Sequence, residues 1–331
     1  VARQIAFAAG VPASVPAFTV NKACGSGLKA IALAEQSIRA GDASIVLAGG
    51  SESMSRVPYL LDSARWGARL GDMPLVDGMY RDGFLCPLCG LLMGETAENL
   101  ADQFGITRAE QDAYAAMSQN RAETARGENR FASQITPIET RGKGGRSILV
   151  ETDEHPRDGV TAASLATLPP VFKTSGSVHA GNSSGITDGA AAAVLMSLGE
   201  ARRRGVSPLF AWRGATIAGV DPKVMGIGPV PAIRRLLEKT GVPLAEIDLL
   251  ELNEAFAAQV LACARELGLS PAKLNVNGGS IALGHPIGAS GARIVVTLLH
   301  EMSRRGARLG IASLCISGGM GIAALFERVE R

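Results

Sequence analysis

The 331-residue chain is poor in aromatic residues, at 4%, and carries a net charge of only +2. Its basic residues are dispersed apart from short clusters such as 202–204 and 304–305, so nucleic-acid binding is not indicated. No apolar run approaches the roughly 20 residues of a membrane span, and no secretory signal is visible. The five cysteines have no disulfide-framework spacing, which suggests a reducing compartment. What is present, 47% apolar residues and 40 glycines, predicts a large core with many tight turns.

Two distant parts of the chain share one pattern, a glycine-rich helix start followed by a buried strand. The run 23–28 opens an apolar helix, and 43–50 is a predicted strand that ends in glycines. The run 287–292 opens a second helix, and 309–315 is a second predicted strand. Continuous apolar strands that alternate with helices predict α/β architecture, with sheets covered on both faces.

A segment of different amino-acid composition separates these two halves. Residues 57–186 are richer in Gly, Pro and charge and predict an inserted domain, which leaves 1–56 with 187–205 as an N-terminal half and 206–331 as a C-terminal half. The remaining local predictions are helices over 2–9, 95–104, 107–126 and 188–204, and a ligand-wrapping loop over 155–185. Thr107 is the predicted N-cap of its helix, with Glu110 completing a capping box.

Cys24 is the strongest nucleophile candidate. It lies where a β-type segment, 16–20, gives way to an apolar helix, 28–38, beside the positive end of the helix macrodipole. That position favours the thiolate. From a free-thiol pKa of about 8.5, majority ionisation at pH 7 requires a downward shift of roughly two units, about 2.7 kcal/mol. A helix end alone seldom supplies so much, so we expect a base elsewhere in the chain.

Two further glycine-rich segments carry candidate chemistry. The loop 277–291 places His285 just ahead of a helix, and the run 315–321 places Cys315 at the end of a buried strand. If two α/β halves pack together, such strand ends and helix starts would meet at the bottom of one common site. Taken alone, a free cysteine is more often a small buried hydrophobe, and His285 a satisfied turn histidine.

At these residues the chain resembles the thiolase family, the acetyl-CoA acyltransferases. The matching runs are Asn-x-x-Cys-Gly-Ser-Gly at Cys24, 253–259, the loop around His285, and Cys315 before its glycines. The resemblance implies the thiolase fold: two pseudo-symmetric βαβαβ-type halves in a layered αβαβα arrangement, with an inserted loop domain. The family would supply about 60 more residues before Val1, and without them we expect exposed sheet edges and poor folding.

The resemblance also implies the catalytic roles. Cys24 would attack an acyl-CoA thioester and hold the acyl group, His285 would take its proton, and Cys315 would remove the α-proton of the incoming acetyl-CoA. Asn253 would hold a water that completes one oxyanion hole. The backbone N–H groups of Cys24 and Ser317 would form the other.

Binding residues follow from the same resemblance. The coenzyme A contacts implied in the wrapping loop and along the pantetheine are Arg157, Ser164, Ser184, Met93, Ala255 and Phe256. Leu92 stands where short-chain relatives usually carry histidine, which predicts a more apolar acyl pocket that could accept longer or branched chains. Coenzyme A and acyl-CoA are the expected substrates, with no permanently bound cofactor, no metal, and neither nucleic acid nor membrane as partner. A homotetramer or homodimer in the cytoplasm is implied; an organellar origin stays open because targeting signals would precede Val1.

The sequence also leaves two alternatives to a thiolase enzyme. A decarboxylating ketoacyl synthase-type enzyme would keep the nucleophile but usually has histidine or asparagine in place of Cys315. A non-catalytic acyl-CoA-binding subunit would account for Leu92. One mass measurement, of an acetyl group on Cys24, separates them.

Several residues have plainer interpretations beside the functional ones. Cys86 and Cys89 have metal or redox spacing, but two ligands do not make a structural zinc site, so loop cysteines are favoured. Asn253 could be an ordinary helix N-cap, and Arg157, Ser164 and Ser184 ordinary turn residues. Cys263 is predicted to pack in the core. The other histidines, predicted to be surface or loop residues, are His155, His179 and His300.

Overall fold

A computed structural model describes residues 1–67 and 69–329. The helices are α1 (Ala2–Ala8), α2 (Ser26–Ala40), α3 (Met93–Phe104), α4 (Arg108–Gly127), α5 (Ala162–Ala166), α6 (Leu198–Arg203), α7 (Pro229–Thr240), α8 (Ala257–Leu267), α9 (Ser280–Leu283) and α10 (Ile287–Arg305). The strands are β1 (Ile45–Glu52), β2 (Tyr59–Leu60), β3 (Val76–Asp77), β4 (Ile138–Arg141), β5 (Ser147–Val150), β6 (Gly189–Met196), β7 (Phe210–Gly219), β8 (Leu249–Leu252), β9 (Leu309–Ile316) and β10 (Met320–Arg328). Glu330 and Arg331, the end of the predicted C-terminal half, lie outside the described residues.

Two sheets form the framework. In the first, β1 pairs antiparallel with β6, so that Ile45 lies opposite Met196 and Glu52 opposite Gly189. The second has the strand order β7-β10-β9-β8, with β8 parallel to β9 and the other pairs antiparallel. Every residue of β9 is buried, as its continuous apolar sequence predicted. Hairpins β2–β3 and β4–β5 lie outside these sheets.

Helices α2 and α10 lie side by side between the two sheets. α10 contacts β1 and β6 on one side and β8 and β9 on the other, while α7 packs on β7 and β10. Glycines let the two central helices approach closely: a Cβ at Gly27 would lie 2.5 Å from the backbone nitrogen of Ala292, and one at Gly291 would lie 2.4 Å from that of Leu28. The α/β class predicted from the sequence is confirmed.

Apolar side chains fill the space around this helix pair. The fully buried ones include Leu28 and Ile31 from α2, Ile294 and Leu298 from α10, and Leu314 from β9. Burial of each such side chain contributes about 1.5–3 kcal/mol to folding. The position of α2, and of the residues at its start, is therefore determined by packing against the C-terminal half.

Two local predictions are wrong. The helical pattern predicted over 188–204 is instead β6 followed by the short α6. The alanine-rich segment takes the extended form because it pairs along its whole length with β1, and tertiary pairing overrides the helix propensity of alanine. The β-type segment 16–20 is not a strand, because none of the described strands pairs with it.

The inserted segment matches its local predictions more closely. Thr107 caps α4, donating its N–H to Glu110 Oε2 at 2.7 Å and accepting the Glu110 N–H at 3.3 Å. The wrapping loop is irregular apart from α5 and a 3₁₀ turn at Ala180–Asn182. The pairing of β1 with β6 joins chain on either side of 57–186, although the division into an insertion and two halves stays a prediction.

Candidate active site

Cys24 lies in a 3₁₀ turn, Ala23–Gly25, directly before α2. Ala23 has a φ of +44°, in the left-handed region that costs a residue with a Cβ free energy. Two polar side chains hold this conformation. Asn21 Oδ1 accepts the Ala23 N–H at 3.0 Å, and Ser26 Oγ accepts the Lys22 N–H at 2.8 Å while donating to the Ala23 carbonyl at 2.7 Å.

The turn packs directly on the end of β9. A Cβ at Gly25 would lie 2.5 Å from Ile316 Cδ1, so glycine is required for this approach. Just beyond, the backbone N–H groups of Ser317 and of Cys24 itself lie near the sulfur of Cys24 and act to lower its pKa. They are the two N–H groups that the family resemblance implied for an oxyanion hole.

The electrostatics of Cys24 differ from the prediction. Cys24 as a whole is half-buried, but desolvation of its sulfur raises its pKa to about 11. The N–H groups of Ser317 and Cys24 oppose that rise, and the Glu52 carboxylate adds to it. Desolvation of the sulfur outweighs the two N–H groups that favour the thiolate. At pH 7 Cys24 is therefore a thiol, and its proton has to leave as the nucleophile attacks.

His285 is an uncharged base in this structure. It lies two residues before α10, and burial together with the positive charge of Arg293 lowers its pKa to about 3. The hydroxyl of Ser290 donates to the Pro286 carbonyl at 2.9 Å, so its oxygen accepts Nδ1–H of His285 at 2.5 Å. This network assigns the proton to Nδ1 and leaves the lone pair on Nε2.

The amide of Asn253 faces that lone pair. Asn253 follows β8, and its N–H donates to the Ser313 carbonyl at 2.9 Å. Ser280 Oγ donates to Asn253 Oδ1 at 2.7 Å, while Arg293 donates to the same hydroxyl at 2.6 Å. Because Oδ1 is held there, Nδ2 points to His285 Nε2, 3.5 Å away. The Asn253 side-chain N–H and the His285 imidazole therefore lie next to each other.

The alternative of an ordinary cap at Asn253 is wrong. Helix α8 begins at Ala257, with Phe256 at its N-cap, because residues 253–256 form an irregular link after β8. Glu254 lies in the same link, outside α8. It is fully buried and accepts hydrogen bonds from Tyr114 at 2.8 Å, Ser118 at 2.7 Å and the Ile281 N–H at 3.1 Å. It ties α4 to the loop that carries His285.

Cys315 is fully buried near the end of β9. Burial raises its pKa well above the ordinary value, and the nearby sulfur of Cys24 raises it further. The two thiols are therefore close enough to affect each other's ionisation. Cys263, by contrast, is buried in α8 and donates to the Gly226 carbonyl at 3.3 Å, which agrees with the packing role predicted for it.

An apolar cluster adjoins Cys315. Its buried members are Cys86, Met93, Ala97, Val178, Met225, Ala255, Phe256 and Cys315, with Cys89 and Phe172 packed against them. Three of these, Met93, Ala255 and Phe256, are the residues expected along the pantetheine, and the structure brings them together with Cys315. Leu92 is half-buried at the N-cap of α3 beside Met93, and its effect on acyl-chain length stays a prediction.

The residues predicted in the wrapping loop are more scattered. Ser184 donates its N–H to the Ala255 carbonyl at 3.0 Å, which places it beside the apolar cluster. Arg157 has an exposed side chain, and its N–H donates to Gln119 Oε1 at 3.0 Å. Ser164 is exposed and donates its hydroxyl to the Thr161 carbonyl at 2.8 Å, within the cap of α5.

His179 is not a surface residue. It is fully buried, with Nε2 2.6 Å from Asp112 Oδ1, because the wrapping loop folds onto α4. His155 and His300 are half-buried. Among residues 1–67 and 69–329, no group of three or more His, Cys, Asp or Glu side chains could hold a metal ion. None of the described helices is long and apolar enough to cross a membrane.

Sequence reasoning named the candidate reacting groups but missed the residues that hold them in place. Ser290, Ser280, Arg293 and Glu254 are buried polar or charged residues whose partners lie in other segments. Ser280 and Ser290 both belong to the glycine-rich loop and helix start around His285, and two hydroxyls so near a candidate base were the available signal. Nothing in the sequence indicates the partners of Glu254 on α4, Tyr114 and Ser118.

Comparisons with known proteins find relatives along nearly the whole chain. The family models for the thiolase N-terminal and C-terminal domains match residues 1–199 and 206–328. Acetyl-CoA acetyltransferase of Pseudomonas aeruginosa is 54% identical over 99% of this chain and 83% of its own length. The corresponding protein of Cupriavidus necator is 52% identical, with the same coverage.

Solved structures give the same result. The crystal structure of the Bacillus anthracis acetyl-CoA acetyltransferase superposes with a TM-score of 0.96, at 48% identity, covering 99% of this chain and 82% of that one. Human mitochondrial 3-ketoacyl-CoA thiolase also gives 0.96, at 44% identity, covering 99% and 83%. The predicted layered fold is therefore confirmed.

Proposed function

The chain belongs to the thiolase family, and we propose that it carries out its acyl transfer through an acyl group held on Cys24. It is an acyltransferase acting on acetyl-CoA, and coenzyme A and acyl-CoA are its substrates. The position of Cys24 in the turn directly before α2, with the backbone N–H groups of Ser317 and Cys24 beside its sulfur, is the observation that carries the assignment. A bond formed at that sulfur would place the developing oxyanion near fixed donors, each typically worth about 3 kcal/mol of barrier.

The first half-reaction begins from two neutral groups. As Cys24 Sγ attacks the thioester carbon, its proton passes to Nε2 of His285, which holds a lone pair for it. The carbon–sulfur bond to coenzyme A then breaks. Cys315, a thiol at rest because of its burial, gives its proton to the departing coenzyme A and becomes a thiolate.

The second half-reaction uses that thiolate. Cys315 removes a proton from the α-carbon of a second acetyl-CoA, and the resulting carbanion attacks the acyl group on Cys24. The bond from sulfur to the acyl carbon breaks, and Cys24 recovers its proton from His285. All protons are returned, and the products are a 3-oxoacyl-CoA and free coenzyme A. In this step Asn253, oriented through Ser280, would hold the water that stabilises the thioester oxygen of the second substrate.

Acylation of Cys24 can be measured directly. Incubation with acetyl-CoA should add one acetyl group to the tryptic peptide Ala23–Lys29, and addition of free coenzyme A should remove it, as a ping-pong intermediate requires. Acetylation elsewhere, or none in folded protein, would contradict the proposal. A decarboxylating enzyme is disfavoured by Cys315, and a non-catalytic subunit by the presence of all the reacting residues.

We also propose an assembled, cytoplasmic enzyme. Large apolar side chains are exposed on the inserted segment, among them Tyr59, Trp66, Leu70, Leu75, Ile138 and Leu149. We propose that contacts between subunits cover these side chains. The relatives compared above include bacterial enzymes, which supports the location. Sedimentation analysis should give a dimer or tetramer, and a monomer at micromolar concentration would contradict the assembly.

A further inference from the structure

Cys86 and Cys89 lie on one tight turn at the edge of the apolar cluster beside Cys315. The Gly90 N–H donates to the Cys86 carbonyl at 2.8 Å, and the Cys86 N–H donates to the Leu91 carbonyl at 2.9 Å. Gly90 closes the turn with a φ of +70°. In such a turn the Cα atoms three residues apart lie within about 7 Å, close to the range that a disulfide spans.

The two thiols differ in access and in acidity. Cys86 is fully buried, whereas Cys89 is only half-buried. Burial opposes ionisation of Cys86, but backbone N–H groups, including that of Gly318, and the Cys89 thiol hydrogen-bond to it, so its pKa is lowered. Burial and the neighbouring Cys86 raise the pKa of Cys89. Cys86 therefore ionises more readily, whereas Cys89 is the thiol that solvent can reach.

We propose that Cys86 and Cys89 form a reversible disulfide on reaction with a disulfide of a small thiol, making this turn a modification site. The thiolate of Cys89, the accessible residue, attacks the small disulfide, forming a mixed disulfide and expelling one thiolate. The Cys86 thiolate then attacks the Cys89 sulfur and expels the second. The protein loses two electrons and two protons, and the small disulfide is reduced to two thiols. Excess dithiol reverses both steps.

The turn is connected to the catalytic centre through Gly318. A Cβ at Gly318 would lie 3.7 Å from Leu88 Cδ1, inside the same turn, and the Gly318 N–H acts to lower the pKa of Cys86. Ser317, whose N–H lies near the Cys24 sulfur, is the preceding residue. Closing the disulfide draws Cys86 and Cys89 together and changes the backbone between them, which includes Leu88. Oxidation therefore disturbs the contact of Leu88 with Gly318 and shifts the strand end that positions the Ser317 N–H.

Peptide mapping in redox buffers tests the site. Trypsin places Cys86 and Cys89 together in Asp82–Arg108, with Cys24 in Ala23–Lys29 and Cys315 in Leu309–Arg328. In buffers of glutathione disulfide and glutathione, followed by alkylation, Asp82–Arg108 should lose two hydrogens at a potential where Cys24 and Cys315 are still alkylated. Dithiothreitol should restore both thiols. Oxidation of Cys24 or Cys315 first, or a stable glutathione adduct on Cys89, would overturn the proposal.

The effect on turnover rests on the proposed function, whereas the mapping does not, so the two can fail separately. Fully oxidised enzyme should show a several-fold lower kcat with little change in KM, recovered by dithiothreitol. Cys89→Ser should keep the activity of the reduced enzyme and lose this response, with Cys263→Ala as a control that keeps it. Equal loss in Cys89→Ser would place the inhibition at another cysteine and overturn the link to Ser317.

Discussion

The two sheets that flank α2 and α10 differ in how completely they are covered. In the C-terminal half β9 is buried throughout, whereas in the N-terminal half β1 and β6 leave Leu47 58% and Val194 60% exposed. Yet Cys24, which lies just before α2, is held in place by residues near the C-terminus of the chain. The turn that contains it packs on Ile316, and α2 packs on α10. Cys24, the candidate nucleophile, is therefore positioned by packing against α10 and the end of β9, the part of the chain that also supplies His285 and Cys315.

The sharpest test of this contrast compares two cysteines. Cys24→Ala should reduce kcat by at least about a thousandfold, because the acyl carrier is lost. Cys263→Ala, at a fully buried packing position, should leave kcat within about twofold while it costs about 1–2 kcal/mol of stability. Steady-state kinetics and thermal unfolding of both variants give the comparison. Comparable loss of kcat in the two would contradict it.

The next effect concerns the contact between the central helices. Gly291→Ala places a Cβ 2.4 Å from the Leu28 backbone nitrogen, whereas the matched Gly127→Ala, in α4, meets nothing within 4 Å. Overpacking at Gly291 should cost about 1–3 kcal/mol and displace the Cys24 turn, lowering kcat as well. Gly127→Ala should be neutral or stabilising by up to about 1 kcal/mol. Equal unfolding temperatures for the two variants would show that α10 does not hold α2.

A smaller effect is expected where Ser280, at the start of α9, orients the Asn253 side chain. Ser280→Ala removes the hydroxyl that fixes the Asn253 amide, so kcat should fall about tenfold with little change in KM. Ser313→Ala removes another buried hydroxyl, bonded to the Ile322 carbonyl at 2.8 Å, and should cost similar stability without the loss in kcat. If both variants lose kcat alike, Ser280 has no specific orienting role.

The smallest change is expected with pH. Since the pKa of Cys24 is about 11 and that of His285 about 3, neither group titrates between pH 6 and pH 9, and kcat/KM should vary less than about twofold there. Alkylation of Cys24 by iodoacetamide requires the thiolate and should rise about tenfold per pH unit over the same range. A plateau in the alkylation rate near pH 7 would instead indicate a thiolate–imidazolium pair at rest.

The sequence predicted the parts of the site that local pattern determines. The glycine-rich runs placed Cys24 and His285 at helix starts and Cys315 at a strand end, and the structure has them there. What failed depends on partners distant in sequence. Desolvation reversed the expected acidity of Cys24, and pairing with β1 turned the predicted helix at 188–204 into β6. The burial of His179 against Asp112 has the same origin.

The division of labour between Cys24 and Cys315 is the central claim, and exchange of acetyl protons with solvent tests it most directly. Cys315→Ala enzyme incubated with acetyl-CoA in deuterium oxide should still acquire an acetyl group on Cys24, more slowly because the departing coenzyme A has lost its proton donor. It should return acetyl-CoA without deuterium in its methyl group. Wild-type and Cys263→Ala enzyme should be acetylated on Cys24 and should also return acetyl-CoA with deuterium in its methyl group. Deuterium incorporation by Cys315→Ala at the wild-type rate would show that another group removes the α-proton and would contradict the account.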